Sequence, residues 1–186
     1  AQIGAGGSVH PFNSVKDYED WLKRIDDYID FLDTAIANMR EGIASGVVLP
    51  TVLTQKTINQ LEEFIVNPTS EHIFYQPIQS FPIEFSPSQR NSLRKKYSEM
   101  IDKKLRPKYV ELKKFLVEEY LPNTRQSSGL VDLPYGKETY DYLIRLHTTS
   151  NLSADQIHEL GKSEVNRILL EMEEAKNAIG FEGDIK

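Results

Sequence analysis

The sequence predicts an all-α fold, a bundle of long amphipathic helices, and three observations carry that prediction. From Val15 to Ile43 apolar residues recur at alternating steps of three and four, the signature of one helical stripe. Helix-start and helix-stop residues punctuate the chain: Ser14 with Asp17, Pro50, Ser86 with Pro87, and Ser153 with Gln156 at starts, Gly46 and Gly180 at stops. No segment shows the sustained apolar–polar alternation of a half-buried strand.

The elements follow in order. Ser14 and Asp17 form a capping box with Asp in place of the usual Glu or Gln. The helix they open carries the stripe Val15, Tyr18, Leu22, Ile25, Ile29, Leu32, Ile36, Met39, Ile43. Trp21, Tyr28 and Ala35 make a second stripe at steps of seven, so this helix should pack on two neighbours. Asp26, Asp30 and Asp33 share one outer side and read as a solvated face rather than a metal site. Gly42 and Gly46 end the helix. Pro50 suits the first turn of a second helix reaching about Ile65. NPTSEHIFYQPIQSFPIEFSPSQ is a crossing segment whose prolines allow only a short helix near Ser70 to Tyr75. Ser86-Pro87 opens a third long helix that meets Pro107. The pattern resumes at Tyr109, Leu112, Phe115 and Leu116, which predicts one helix, kinked at Pro107, ending near Tyr120 to Pro122.

A long loop around 122–136 (NTRQSSGLVDLPYG) lacks any periodicity, and loops of this length are often functional. A short helix over Lys137 to His147 and the connector TTSN lead to a last helix that Ser153 and Gln156 cap and that runs to about Ala178. Its expected buried face is Ile157, Gly161, Val165, Ile168, Met172 and Ile179.

Composition narrows the function classes. The 186 residues make a single helical domain or a fragment of a larger protein, with residues 1–13 as a leader segment. A net charge of −6 argues against broad binding to nucleic acid. The densest basic stretch, Arg90 to Lys108, is interrupted by Glu99 and Asp102 and reads as a solvated helix face. The absence of cysteine excludes disulfides, thiolate zinc sites and a cysteine nucleophile, and fits a reducing or an oxidising compartment. No apolar run approaches the roughly 18 residues of a transmembrane span. The N-terminus shows neither the basic nor the apolar region of a signal peptide and has no initiator Met, so the chain is expected to begin inside a longer gene product.

The strongest chemical motif is IHELGK at 157–162, the first half of a zinc-binding HExxH. Position 162 is lysine, a cation that would repel the metal, and Glu159 falls nearly opposite the apolar face. His158 sits at the edge of that face, either as a boundary histidine bonded to its surroundings or as part of a cleft lining. His147 shares a face with Tyr140, Leu143 and Ile144, which favours core packing over ligation. His10 and His72 lie in loop-like contexts with no partner at metal-ligand spacing. No Ser-His-Asp set and no phosphate-cradling glycine loop is visible, and GAGG at Gly4 to Gly7 follows no strand.

Three stretches together resemble one family, the bacterial domain of unknown function 885. They are GSVHPFNSVKDYEDWLKRIDDYIDFLDTAIANMREGI, YLPNTRQSSGLVDLPYGKETYDYLIRLHTT and LSADQIHELGKSEVNRILLEMEE. The resemblance covers nearly the whole chain. It implies an all-helical protein related to zinc metallopeptidases of the HExxH type, exported or lipid-anchored in the bacterial envelope, although the composition fits the cytoplasm as well. It further implies that the HExxPGH-like catalytic helix lies C-terminal to these residues. In the family's loop-plus-helix motif stand Arg125, Gly129, Pro134, Gly136 and Tyr140. Arg125 and Tyr140 are implied to face substrate, with loop anchoring as the alternative, and His147 and His158 complete the candidate substrate-binding set. No residue here is assigned a catalytic or metal-ligating role, and zinc is expected only in the full-length parent. The expectations are therefore a scaffold and cleft-wall portion of a zinc-dependent peptidase-like protein acting on a peptide or small molecule, or else a non-enzymatic helical binding module of the envelope. Self-association as a homodimer through exposed apolar helix faces is a further expectation.

Overall fold

A computed structural model describes residues 10–66 and 68–184, so most of the leader and Gly4 to Gly7 lie outside the described residues. The chain divides into two compact units, Ala1–Ser128 and Gly129–Lys186. Both are helical, and no strand forms among the described residues; an isolated parallel bridge joins Pro50 and Arg125.

In the first unit, α1 spans Val15–Ser45. The Ser14 hydroxyl accepts from the Asp17 amide, and the Asp17 carboxylate accepts from the Ser14 amide at 2.8 Å, completing the predicted capping box. Gly46, at φ 76°, adopts the left-handed conformation that closes the helix. After α2 (Thr51–Val66) the crossing segment holds two short 3₁₀ helices, Thr69–Glu71 and Ile73–Ile78.

The third helix is continuous but not uniform: α3 (Pro87–Met100) and α4 (Arg106–Phe115) are joined by a π-helical turn, Ile101–Leu105, and a second π turn follows at Leu116–Tyr120. Pro107 lacks an amide and its ring presses on the carbonyl one turn back. The wider turn directly before it makes that room without breaking the helix. The same device keeps the core stripe in line. Leu93, Tyr97, Ile101, Leu105 and Tyr109 are all buried at steps of four. Four residues overshoot one α-helical turn by about 40°, so such a stripe would wander off the core unless a turn held more residues.

The core of this unit gathers Tyr18, Trp21 and Ile25 of α1, Ile58 and Leu61 of α2, the α3–α4 stripe, and Phe74, Ile78 and Phe85 of the crossing segment. Along one seam, four ion pairs link α1 to α3, α4 and the turns beside them: Glu19–Lys96 at 2.7 Å, Asp26–Lys104 at 2.5 Å, Asp33–Lys108 at 2.7 Å and Arg40–Glu119 at 2.7 Å. The α1 members fall at steps of seven and their partners ascend with them, so these helices run parallel. The two faces expected to be merely solvated, the Asp face of α1 and the basic stretch 90–108, are thus each other's partners. Half-exposed pairs of this kind add little stability individually; they mark register and direction.

In the second unit, the 3₁₀ turn Leu130–Asp132 precedes α5 (Gly136–Thr148), and α6 spans Ala154–Ala178 behind the predicted Ser153–Gln156 capping box. The expected buried face of α6 is not buried. No α6 residue is buried, and Val165, Ile168, Met172 and Ile179 are 56%, 44%, 41% and 80% exposed. Periodicity reports which face would favour burial; burial itself needs a covering surface, and the unit does not supply one.

Candidate functional site

Arg125 belongs to the first unit, where its local structure accounts for every bond described for it. Its Nε donates to the Val48 carbonyl at 3.1 Å and its Nη1 to the Ser127 carbonyl at 2.8 Å and hydroxyl at 3.3 Å. Its backbone continues the work: the Arg125 amide donates to Leu49 O, and its carbonyl accepts from the Thr51 amide at 2.8 Å and hydroxyl at 3.0 Å. The Thr51 and Thr124 hydroxyls meet at 2.9 Å, and the Leu49 amide donates to the Tyr120 hydroxyl at 3.0 Å. Arg125 therefore ties the start of the long loop to the α1–α2 connector. Replacing it with alanine is expected to cost about 1–3 kcal/mol, because the half-buried Val48 carbonyl loses a charged donor. Lysine, lacking the planar fork, should recover only part of that. Urea denaturation checks this; a loss below about 0.5 kcal/mol would mean that the side chain does not anchor the loop.

Tyr140, His147 and His158 belong to the second unit. Tyr140 and His147 lie two turns apart on one face of α5, and both are exposed, so the packing expected of His147 does not occur. Among the described residues, no hydrogen bond or ring contact joins Tyr140, His147 and His158 to one another. His158 is exposed on an open groove of about 440 Å³ along α6, with Ile157, Gly161, Lys162, Val165 and Asn166. Lys162 donates to both carboxylate oxygens of Glu159 at 3.0 and 3.2 Å, so the HExxK stretch is a surface ion pair with an exposed histidine beside it.

The described residues do not fit a catalytic zinc. Among the described residues no group of three or more His, Cys, Asp or Glu side chains could hold a metal ion. His10, which has no partner at metal-ligand spacing, makes two other kinds of contact. Its Nε2 pairs with the Asp17 carbonyl at 2.9 Å, and its ring lies 4.9 Å from Phe12 and 5.1 Å from Trp21, fixing the entry to α1.

Sequence reasoning missed a cleft of about 410 Å³ in the second unit, lined by Lys137, Asp141, Arg145, Asn151, Leu152, Ser153 and Gln156. Lys137 is paired with Asp141 at 2.8 Å, whereas Arg145 has a guanidinium suited to a carboxylate. The signal was present as a polar stripe at steps of four, 137, 141 and 145, leading to a capped connector.

No curated protein matches the chain. A crystal structure of a putative lipoprotein from Colwellia psychrerythraea superposes with a TM-score of 0.82 at 25% identity, over 94% of this chain and 30% of that one. The present chain thus spans 30% of the length of that relative. The family described as bacterial protein of unknown function (DUF885) matches residues 1–186 from end to end. An all-helical architecture and a match along its full length lead to one conclusion: this chain belongs to the DUF885 family of bacterial proteins.

Proposed function

We propose that these residues form the scaffold and part of the cleft wall of a larger, zinc-dependent peptidase-like protein of the bacterial envelope, and do not themselves carry the chemistry. The observation that carries this reading is α6, a 25-residue capped helix with a continuous apolar face and no buried residue. Such a face on a soluble protein marks a surface meant to be covered. The 30% span of the structural relative agrees with this, since a longer chain offers the missing cover. An envelope location is suggested by the relative's description as a lipoprotein. Among the described residues no helix is long and apolar enough to cross a membrane, so attachment in the parent would rest on something other than these helices.

In this reading the exposed Tyr140, His147 and His158 present polar tips toward substrate, which would be a peptide or a small molecule, and Arg125 holds the loop that leads to them. The reading is tested on the isolated chain, dialysed and then assayed by elemental analysis and against a mixed peptide substrate with zinc added back. We expect no stoichiometric zinc and no hydrolysis. One-to-one zinc retention or zinc-dependent cleavage would overturn it. The alternative, a non-enzymatic helical binding module, is distinguished by the parent's sequence beyond Lys186: an HExxH there supports the peptidase reading, and its absence supports the module.

A further inference from the structure

His72 lies at the junction of the crossing segment with two helices and is 2% exposed. Its ring is packed between Phe64 of α2 at 5.7 Å, Phe74 of its own segment at 5.6 Å and Tyr109 of α4 at 6.3 Å. Its two nitrogens have different fates. Nδ1 accepts from the Phe74 amide at 3.3 Å, capping the 3₁₀ helix Ile73–Ile78. Nε2 is buried and has no hydrogen-bond partner among the described residues. Because Nδ1 accepts, the neutral imidazole carries its proton on Nε2.

We propose that His72 is an acid-sensitive latch that holds the crossing segment on the bundle and releases it when the imidazole is protonated. Protonation places a hydrogen on Nδ1, so that a donor faces the Phe74 donor and the cap is lost, while Nε2 has no acceptor with which to offset the charge. The charged groups facing the ring pull in opposite directions. Arg106 at the start of α4 opposes a second positive charge, and Asp102 in the π turn favours it. Asp102 is already engaged by the Thr69 hydroxyl at 2.7 Å and by Arg106 at 3.3 Å. Arg106 also donates to the Ile65 carbonyl and, at 3.4 Å, to the Thr69 hydroxyl. Tyr109 is neutral and pairs with the Tyr28 hydroxyl at 3.4 Å. The aromatic faces attract a cation, but burial dominates the balance, with Arg106 adding to it, and the imidazole is pushed down to about 4.

The sign follows from that depression. The latched state binds fewer protons than the released one, so the latch is fully closed above the ordinary histidine value near 6.5, weakens as pH falls toward 4, and loses no more below it. Between pH 7 and pH 5 the opening equilibrium should rise roughly 20-fold. Hydrogen exchange of the amides of 73–76 and 78, corrected for intrinsic rates, reads this directly. In the wild type their protection should fall by about that factor, while amides around Tyr97 keep theirs. His72→Asn retains a capping acceptor without a titrating group and should remove the pH dependence. The wild-type imidazole resonances give an independent reading should that variant fold poorly. A ring that titrates near its ordinary value with the segment still protected, or an equal loss of protection in both proteins, would overturn the proposal.

Discussion

Replacing Tyr97 with alanine is expected to cost about 3–5 kcal/mol of stability, the range for truncating a large aromatic residue in a core that cannot collapse around the gap. Tyr97 has no measurable exposure, and its hydroxyl donates to the Tyr18 carbonyl at 3.1 Å. Its ring meets that of Tyr18 in an edge arrangement, within a cluster that continues through Phe81 and Phe85. Burial pushes its phenol well above the ordinary range, so the side chain stays neutral and donating at every ordinary pH. Phenylalanine separates the two contributions: it keeps the ring, loses the bond, and should cost about 1 kcal/mol. Urea denaturation at constant slope is the measurement. A cost for Y97A near that of Y97F would show that the α1–α3 contact is loosely packed and that Tyr97 is not its centre.

Gly136→Ala is the second large effect, and it acts on backbone rather than core. A Cβ at Gly136 would lie 2.2 Å from the Leu130 carbonyl oxygen, 2.8 Å from Val131 C and 2.9 Å from Val131 O. These are main-chain atoms that cannot rotate away, so the 3₁₀ turn Leu130–Asp132 must shift. The turn has little freedom left. Tyr135, directly before the glycine, already holds a left-handed conformation at φ 56°, uncommon for a residue with a side chain. The Leu133 amide donates to the Leu130 carbonyl at 3.1 Å, closing that turn, and the Gly136 amide donates to the Leu133 carbonyl at 2.8 Å, closing the next. Overpacking costs typically 1–3 kcal/mol, and we place this substitution at the upper end because no side chain can give way. Limited proteolysis should find new cleavage between Gly129 and Tyr135, with α1 and α3 still resistant. A variant as resistant as the wild type would show that the loop adapts freely and that glycine is not required there.

Much of the fold was legible in the sequence because its signals are local. The capping boxes at Ser14 and Ser153 act within three residues and the structure forms both, while the helix start at Ser86-Pro87 proves to carry a third, with Gln89. The α1 stripe is a property of one helix, and Tyr18, Ile25, Leu32 and Ile36 are buried where it placed them. The failure of HExxH at Lys162 was equally local, and the Glu159–Lys162 pair shows what that helix does instead. The candidate site was less legible. Arg125 is marked only by family resemblance: its bond to Ser127 is local, but its bond to Val48 depends on a connector 77 residues away that no spacing rule could have joined to it. His72 passed as an isolated loop histidine for the same reason.

By itself, then, the sequence determined the all-α class, the capped helix starts, the first buried stripe and the lack of a complete zinc motif, because backbone hydrogen bonding and side-chain periodicity operate within a few residues. Tertiary structure alone decided three things. It matched the acidic face of α1 to the basic face of the third helix, since either face read alone is indistinguishable from a solvated one. It accommodated Pro107 behind the π turn Ile101–Leu105, since the cost of a proline depends on whether the surrounding core holds the helix together. It left the apolar face of α6 uncovered, since the hydrophobic effect rewards burial but does not provide the partner, and a helix can state only which of its sides would accept one.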